Sequence, residues 1–292
     1  MTFMKWFRRL TAALLSLILA APAAASPAMW KFGDADTTIY LYGTIHALPA
    51  NFQWRDAKLE KVLESADTLV IETMIDKDPA AIAKLMPPPD PTLPPILDRV
   101  PAKSRPPLAA MIAKAGLSPA QLDPMPTWQA AFYLMGAMMR DIGAERGAGV
   151  EQNLTPVFES GVSGPRKIEA LETAASQLKL FEDLSEADQR ELLAGLVDGS
   201  GDAKRDYAKM LKAWASGDDK AIAKSFAKDE DLTPHLREVL LKKRNEAWTV
   251  WLKDRLDKPG TVLVAVGAGH LAGPMSVQSM LAAQGVKVER VR

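Results

Sequence analysis

Three apolar runs stand out along this chain. Thr38-Ile39-Tyr40-Leu41-Tyr42 is short, β-branched and aromatic, and Gly43 stops it. Thr68-Leu69-Val70-Ile71 is continuous and ends at Glu72, and Thr261 to Val266 is continuous again and ends at Gly267-Ala268-Gly269. Such runs predict strands covered on both faces, as in a parallel sheet. Between the first two, Leu59, Val62, Leu63 and Ala66 recur at helical steps, so strand, helix and strand form a βαβ unit. Val286 to Val291 alternates like an edge strand.

The middle of the chain has a different period. Six of the ten residues from Met86 to Pro95 are proline, a density that no regular helix or central strand survives. Beyond it, Trp128, Phe132, Met135 and Met139 recur at three- and four-residue steps over Thr127 to Arg140, which predicts a helix with a packed core face. Helices are also expected over Glu151–Glu159, Ser185–Val197, Asp202–Ala215, Pro234–Leu256 and Gly273–Gln284. The expected fold is therefore α/β: a mixed, largely parallel sheet built from both chain ends, about 28–78 and 258–292. A large helical insertion, about 79–257, separates them.

Composition narrows the class. The 292 residues carry 36 basic and 36 acidic side chains, so no basic footprint for nucleic acid is present. Zero cysteine excludes disulfides, thiolate metal sites and a cysteine nucleophile. Lys5, Arg8 and Arg9 precede an apolar run from Leu10 to Ala21, and Ala23-Ala24-Ala25 offers small residues for cleavage. This is the pattern of a cleavable export signal over residues 1–25, which makes 26–292 the mature, periplasmic or secreted chain. The apolar run is shorter than the roughly 20 residues that span a bilayer, so no membrane anchor is expected after cleavage.

Two of the three histidines share a local setting. Gly43-Thr44-Ile45-His46 and Gly267-Ala268-Gly269-His270 each follow a predicted buried strand. Ligands of open parallel sheets bind beyond the carboxyl ends of the strands. Parallel neighbours at 38–43, 68–72 and 261–266 would bring His46, Glu72 and His270 to one edge. Two imidazoles and a carboxylate are a metal set that leaves positions open for water and substrate. Satisfied turn histidines are the alternative that spacing alone leaves open. Glu172 follows the short apolar stretch from Ile168 and suits a further ligand, a general base or a helix N-terminal carboxylate. Arg244 and Asn245 lie in the long helix, where an arginine can clamp an oxyanion or simply face solvent. His235 follows Pro234 at a helix start, an exposed setting. Ser160 and Ser276 have no nucleophile-elbow context.

These segments resemble the TraB/GumN family, to which the Tiki metalloproteases are related. The resemblance lies in Leu41-Tyr42-Gly43-Thr44-Ile45-His46-Ala47-Leu48-Pro49, Glu72 and Ala170-Leu171-Glu172-Thr173 with Gln177. It continues in Arg244-Asn245 with Trp248 and in Val266-Gly267-Ala268-Gly269-His270-Leu271-Ala272-Gly273-Pro274. Matches run in order from about 38 to 291. The resemblance implies a core akin to the erythromycin-esterase-like and ChaN-like folds, with both G-x-x-H motifs in the active site. From the Tiki relatives it implies metal-dependent peptide cleavage. Glu151 departs from the pattern, standing where many relatives have aspartate.

The expectation is an exported metal-dependent hydrolase acting on a peptide or protein substrate. His46, Glu72 and His270 would hold a divalent transition metal (Mn, Co or Zn), with Glu72, Glu172, Arg244 and Asn245 in catalytic roles. Two other readings stay open: a metal-free histidine-based esterase-like hydrolase, and a non-catalytic exported protein that captures a peptide or signalling molecule.

Overall fold

A computed structural model describes residues 25–74, 79–146, 149–160, 164–228 and 233–291. Apart from Ala25, the expected export signal lies outside the described residues. The strands are β1 (Met29–Gly33), β2 (Thr37–Thr44), β3 (Ala47–Leu48), β4 (Thr68–Met74), β5 (Glu145–Arg146), β6 (Lys167–Thr173), β7 (Gly260–Gly267) and β8 (Glu289–Arg290). The main helices before β6 are α1 (Ala57–Ser65), α2 (Arg105–Lys114), α3 (Thr127–Asp141) and α4 (Val150–Glu159). After it come α5 (Ala174–Glu182), α6 (Glu186–Gly199), α7 (Ala203–Ala215), α8 (Asp219–Lys228), α9 (Lys243–Arg255) and α10 (Val277–Ala283).

One six-stranded sheet organises the molecule, in the order β6-β4-β7-β2-β1-β8. Its four strands from β6 to β2 are parallel, and β1 runs antiparallel to both β2 and β8. The strands expected at 38–43, 68–72 and 261–266 are thus parallel neighbours, with β7 between the other two. A separate two-stranded pair joins β3 to β5.

The sheet is covered on both faces, which is why the middles of its central strands are continuous apolar runs. On one face Leu69, Ile71, Leu263 and Ala265 pack with Leu59 and Leu63 of α1, Leu154 and Phe158 of α4 and Trp214 of α7. On the other, Ile39, Val70, Val262 and Val264 meet Trp248 and Leu252 of α9 and Val277 and Leu281 of α10. A third apolar cluster away from the sheet joins α2, α3 and α6 through Leu108, Ile112, Leu134, Leu193 and Val197. Nine-residue α1 is too short to persist alone. Burial of Leu59, Val62 and Leu63 offsets that, each contributing about 1.5–3 kcal/mol. The Asp56 side chain accepts from Leu59 N at 2.9 Å and caps the first turn.

The sheet is not built from the chain ends alone. Its outer strand β6 comes from the middle of the chain, through the stretch read only as a short apolar run. Every β6 residue is half-buried or exposed, the profile of an edge strand that leaves no long apolar signature. β1 likewise precedes the first run expected to be a strand. The helix expected over Pro234–Leu256 is interrupted: Pro234–Arg237 is α-helical, Glu238–Lys242 forms a π turn, and α9 follows. The helix expected over Gly273–Gln284 shortens to Val277–Ala283, with Ser276 capping its start. Among the described residues no helix is long and apolar enough to cross a membrane.

Candidate active site

Strand register sets the site. Thr44 of β2 pairs with Gly267 of β7, and Ile71 of β4 pairs with Ala265, so three parallel strands end at one level. Glu72 is the next residue on β4, while His46 and His270 sit in the turns that follow β2 and β7. Glu172 arrives on β6 opposite Thr73. Arg244 and Asn245 come from the first turn of α9, just past the π turn, a distortion often found at functional sites. All six expected residues therefore gather at the carboxyl edge of the sheet. His235 does not: it is exposed and lies 3.7 Å from Asp188.

Arg244 is the hub. Its Nε and Nη2 each donate to a Glu172 oxygen at 2.8 Å, a bidentate pairing, and Nη2 also donates to Glu72 Oε2 at 2.9 Å. Nη1 donates to Leu240 O at 3.2 Å, on the π turn, and to His270 Nε2 at 3.0 Å. The guanidinium also lies over the Trp248 ring, and the Trp248 indole N–H donates to Glu172 Oε1 at 3.0 Å.

That arrangement fixes the state of His270. An arginine has no acceptor, so His270 Nε2 must carry a lone pair. Asn245 Nδ2 donates to Met275 O at 2.7 Å, which turns its Oδ1 toward His270 Nδ1 at 2.6 Å. An amide oxygen only accepts, so Nδ1 carries the proton and the ring is neutral. Burial acts in the same direction, and His270 is pulled down to about 4.

Glu72 is buried yet ionised. Burial alone would raise it, but the charge that His270 takes on only at low pH, the charges of Arg244 and His46 and the Gly267 N–H, donating at 2.6 Å, outweigh that and hold it at about 2. Gln177 of α5 also donates to Glu72, at 3.4 Å.

His46 lives in another environment. Its side chain is 67% exposed, and Nδ1 lies 3.3 Å from Glu151 Oε1, which also accepts from Thr44 Oγ1. The hydrogen bond and charge of Glu151 exceed the opposing effect of desolvation and raise His46 to about 9, with water on its open side screening part of that pull. Gly267 forms the floor between the groups. A Cβ placed there would lie 3.0 Å from Glu72 Oε1, 3.6 Å from His270 Cδ2 and 3.7 Å from His46 Nε2. The cradle over Gly267 is thus lined by one carboxylate oxygen and both imidazoles.

In kind these donors suit a divalent metal, with a carboxylate and two rings whose Nδ1 atoms are already engaged. The arrangement is not a closed cage: Arg244 occupies His270 Nε2, and Glu72 Oε1 is 3.8 Å from that nitrogen. Among the described residues no three His, Asp or Glu side chains converge as a metal cluster. Asn245 is 1% exposed, with its amide engaged inside the protein, so it faces His270 and not the cleft.

Four neighbours escaped sequence reasoning as site residues. Glu151 is one: the resemblance marked it as a departure from the pattern, and its place in the first turn of a helix gave no further signal. Thr44, Trp248 and Gln177 are polar partners whose types carry no catalytic signature.

The profile of the TraB/PrgY/gumN family matches residues 28–290. Two curated relatives, each an uncharacterized protein YbaP, one from Escherichia coli K12 and one from Shigella flexneri, are 25% identical over 246 residues. The matches cover 83% of this chain and 87% of each relative. No solved structure matches the chain. With a family profile spanning both G-x-x-H turns, Glu72, Glu172 and Arg244, the chain belongs to the TraB/PrgY/gumN family.

Proposed function

We propose that this chain is an exported hydrolase that cleaves peptide bonds with the help of a divalent transition metal (Mn, Co or Zn). The observation that carries the reading is the cradle over Gly267, where His46 Nε2, Glu72 Oε1 and the His270 ring face one point. His46 and Glu72 would hold the metal, and His270 would join them where Arg244 gives up its Nε2. A metal bound there supplies Lewis acidity and a more acidic water.

The side chains suggest a division of labour. A carboxylate held at about 2 is too weak a base to take a proton from water, so Glu72 serves as an anionic anchor, for metal and for Arg244. His46, raised to about 9, is protonated near neutral pH when no metal displaces that proton, and faces open solvent. Arg244 brings positive charge to the edge where a carbonyl oxygen would become negative. Asn245 and Glu172 act through others: Asn245 fixes the His270 tautomer and Glu172 holds Arg244. The residues expected to form an export signal support a periplasmic or secreted location.

The test is elemental analysis and a peptide-library screen of the mature protein, purified without chelator or metal resin, beside His46→Ala and His270→Ala. Near-stoichiometric metal and cleavage in the wild type, both lost in the variants, support the reading. Undiminished cleavage in either variant sinks it.

One observation favours a second reading. Arg244 sits on His270 Nε2 at 3.0 Å, where a cation would have to bind. In a metal-free hydrolase Arg244 stays there, and the neutral fraction of His46, oriented by Glu151, would take the proton of water, so that cleavage would rise as pH approaches 9. Cleavage that survives exhaustive chelation but is lost with His46→Ala selects this alternative.

A further inference from the structure

The two G-x-x-H turns are alike in sequence, but the His46 turn carries the start of α4 seated directly on its backbone. Val150 N donates to Ile45 O at 3.0 Å, tying the first residue of α4 to the residue before His46. A Cβ on Gly149 would lie 2.5 Å from His46 O, 2.7 Å from His46 C and 2.9 Å from His46 Cα. No real side chain tolerates such contacts with backbone, so this position needs glycine for close approach. The next side chain along, Glu151, is 13% exposed and reaches the ring, with Oε1 3.3 Å from His46 Nδ1. Thr44, two residues before His46, donates its hydroxyl to the same oxygen. From the opposite side α7 grips the turn: Trp214 Nε1 donates to Gly43 O at 2.8 Å and Tyr207 OH to Ala47 O at 2.9 Å.

We propose that Gly149-Val150-Glu151 is a clamp in which Glu151 is a positioning residue, holding the exposed His46 ring through Nδ1 so that Nε2 faces the Gly267 cradle. An imidazole this open has two ring orientations available, and solvent contact alone chooses neither. A carboxylate on Nδ1, itself fixed by Thr44, chooses one. The backbone seat supplied by Gly149 and Val150 brings the carboxylate within reach. The proposal rests on His46 being the working group of the site. Glu151 acts only through His46, and its removal lowers turnover without weakening substrate binding.

The experiment uses the mature chain, metal-free and labelled with 15N-histidine. Only three histidines are present, so three ring spin systems are seen; His235→Gln and His270→Gln assign them. In the wild type the His46 Nδ1 signal is expected to carry a 15N shift from its carboxylate partner, a readout that survives fast proton exchange on so exposed a ring. Glu151→Ala loses it, Glu151→Gln weakens it, and Glu151→Asp restores it in part. Binding of Mn(II) or Co(II) alone, and kcat on a cleaved peptide, fall about 10–100-fold in Glu151→Ala while KM stays put. Glu151→Gln, nearly isosteric, guards against a folding artefact, with unchanged thermal unfolding as its control. A His46 ring signal unaltered in Glu151→Ala overturns the proposal. A shift lost in that variant, with no peptide cleaved by any form, supports the clamp and refutes the hydrolase reading instead.

Discussion

Gly267→Ala separates the site from the fold. Gly267 has φ −49° and ψ 133°, a backbone that alanine adopts without strain. Restricting the unfolded chain this way favours the folded state by about 0.4–1 kcal/mol. Against it stands the new methyl, 3.0 Å from Glu72 Oε1, close enough that the carboxylate must give by a few tenths of an ångström. The same oxygen accepts the Gly267 N–H at 2.6 Å, a bond to a charged group worth about 1.5–3 kcal/mol, of which a small shift forfeits only part. The weakened bond outweighs the gain only slightly, so the expected net loss is at most about 1 kcal/mol, no more than roughly 2–4 °C in Tm for a chain near this size. The site pays differently, because the methyl fills the space that His46 Nε2 and Glu72 Oε1 share. Turnover should fall by about 100-fold or more, the usual scale for an ångström of misplacement. The assay is paired: thermal unfolding by circular dichroism, then peptide hydrolysis and Mn(II) or Co(II) binding on the same preparations. Gly201→Ala, whose Cβ meets nothing within 4 Å, is the control: it should raise Tm slightly by the same unfolded-chain effect and leave turnover and metal binding unchanged. Wild-type turnover and metal binding in Gly267→Ala would refute the cradle as the reaction site.

Further outcomes follow from the same contacts. Arg244→Met leaves Glu72 and Glu172 buried without their shared cation and should cost about 3–5 kcal/mol in urea unfolding, where Arg244→Lys recovers only part because it cannot bind bidentately. Asn245→Ala removes the partner of His270 Nδ1 and a bond to Met275 O; it should cost roughly 2–5 kcal/mol by the same assay and release the His270 tautomer in 15N spectra. The pH dependence of the chelated protein has a definite sign. His270 is depressed to about 4 from 6.5, so as pH falls the unfolded chain takes up its proton first and stability is lost between those values. Glu72, lowered to about 2 from 4.5, contributes stability above pH 4.5 that disappears as pH falls toward 2. Tm should therefore decline steadily below pH 6.5, and His270→Gln should flatten the upper part of that decline; a Tm unchanged down to pH 4 would contradict the buried, neutral His270.

The sequence made the centre of this fold legible because the middles of β4 (Leu69 to Ile71) and β7 (Val262 to Val266) are buried on both faces and so are apolar without a break. Edge elements were silent for the converse reason. β6 is half-exposed and carries Lys167, Glu169 and Glu172, so its pattern reads as turn or helix start, and only pairing with β4 makes it a strand. The π turn before Arg244 is equally invisible, since Glu238-Val239-Leu240-Leu241-Lys242 suits an ordinary helix. For the site, strand-end logic found His46, Glu72 and His270, while Glu172, Arg244 and Asn245 stood as weaker candidates that the family motifs then reinforced. Neither said that Arg244 would stand on His270 Nε2, or that Glu151 would reach His46. Those are side-chain contacts between residues as much as 105 positions apart, set by packing and not by local spacing.

One motif used twice has produced two opposite histidines. Both follow a glycine-led turn at the end of a parallel strand, and both line the same cradle, yet one is raised to about 9 and the other lowered to about 4. The cause is what each turn packs against. His46 meets a carboxylate and water, which favour the cation. His270 is enclosed by α9, with an amide oxygen on one nitrogen, a guanidinium on the other and the Trp248 ring 4.4 Å away, none of which accommodates a second proton. Titratable neighbours pushed apart in this way are a general mark of acid–base division within a site. A duplicated turn with only a structural purpose would need no such difference, since either ring could satisfy backbone groups in either state. The asymmetry also assigns consequences: a substitution at His46 should change chemistry with little change in stability, whereas one at His270 disturbs both, because Arg244, Asn245 and the ends of β4 and β7 are all joined through it.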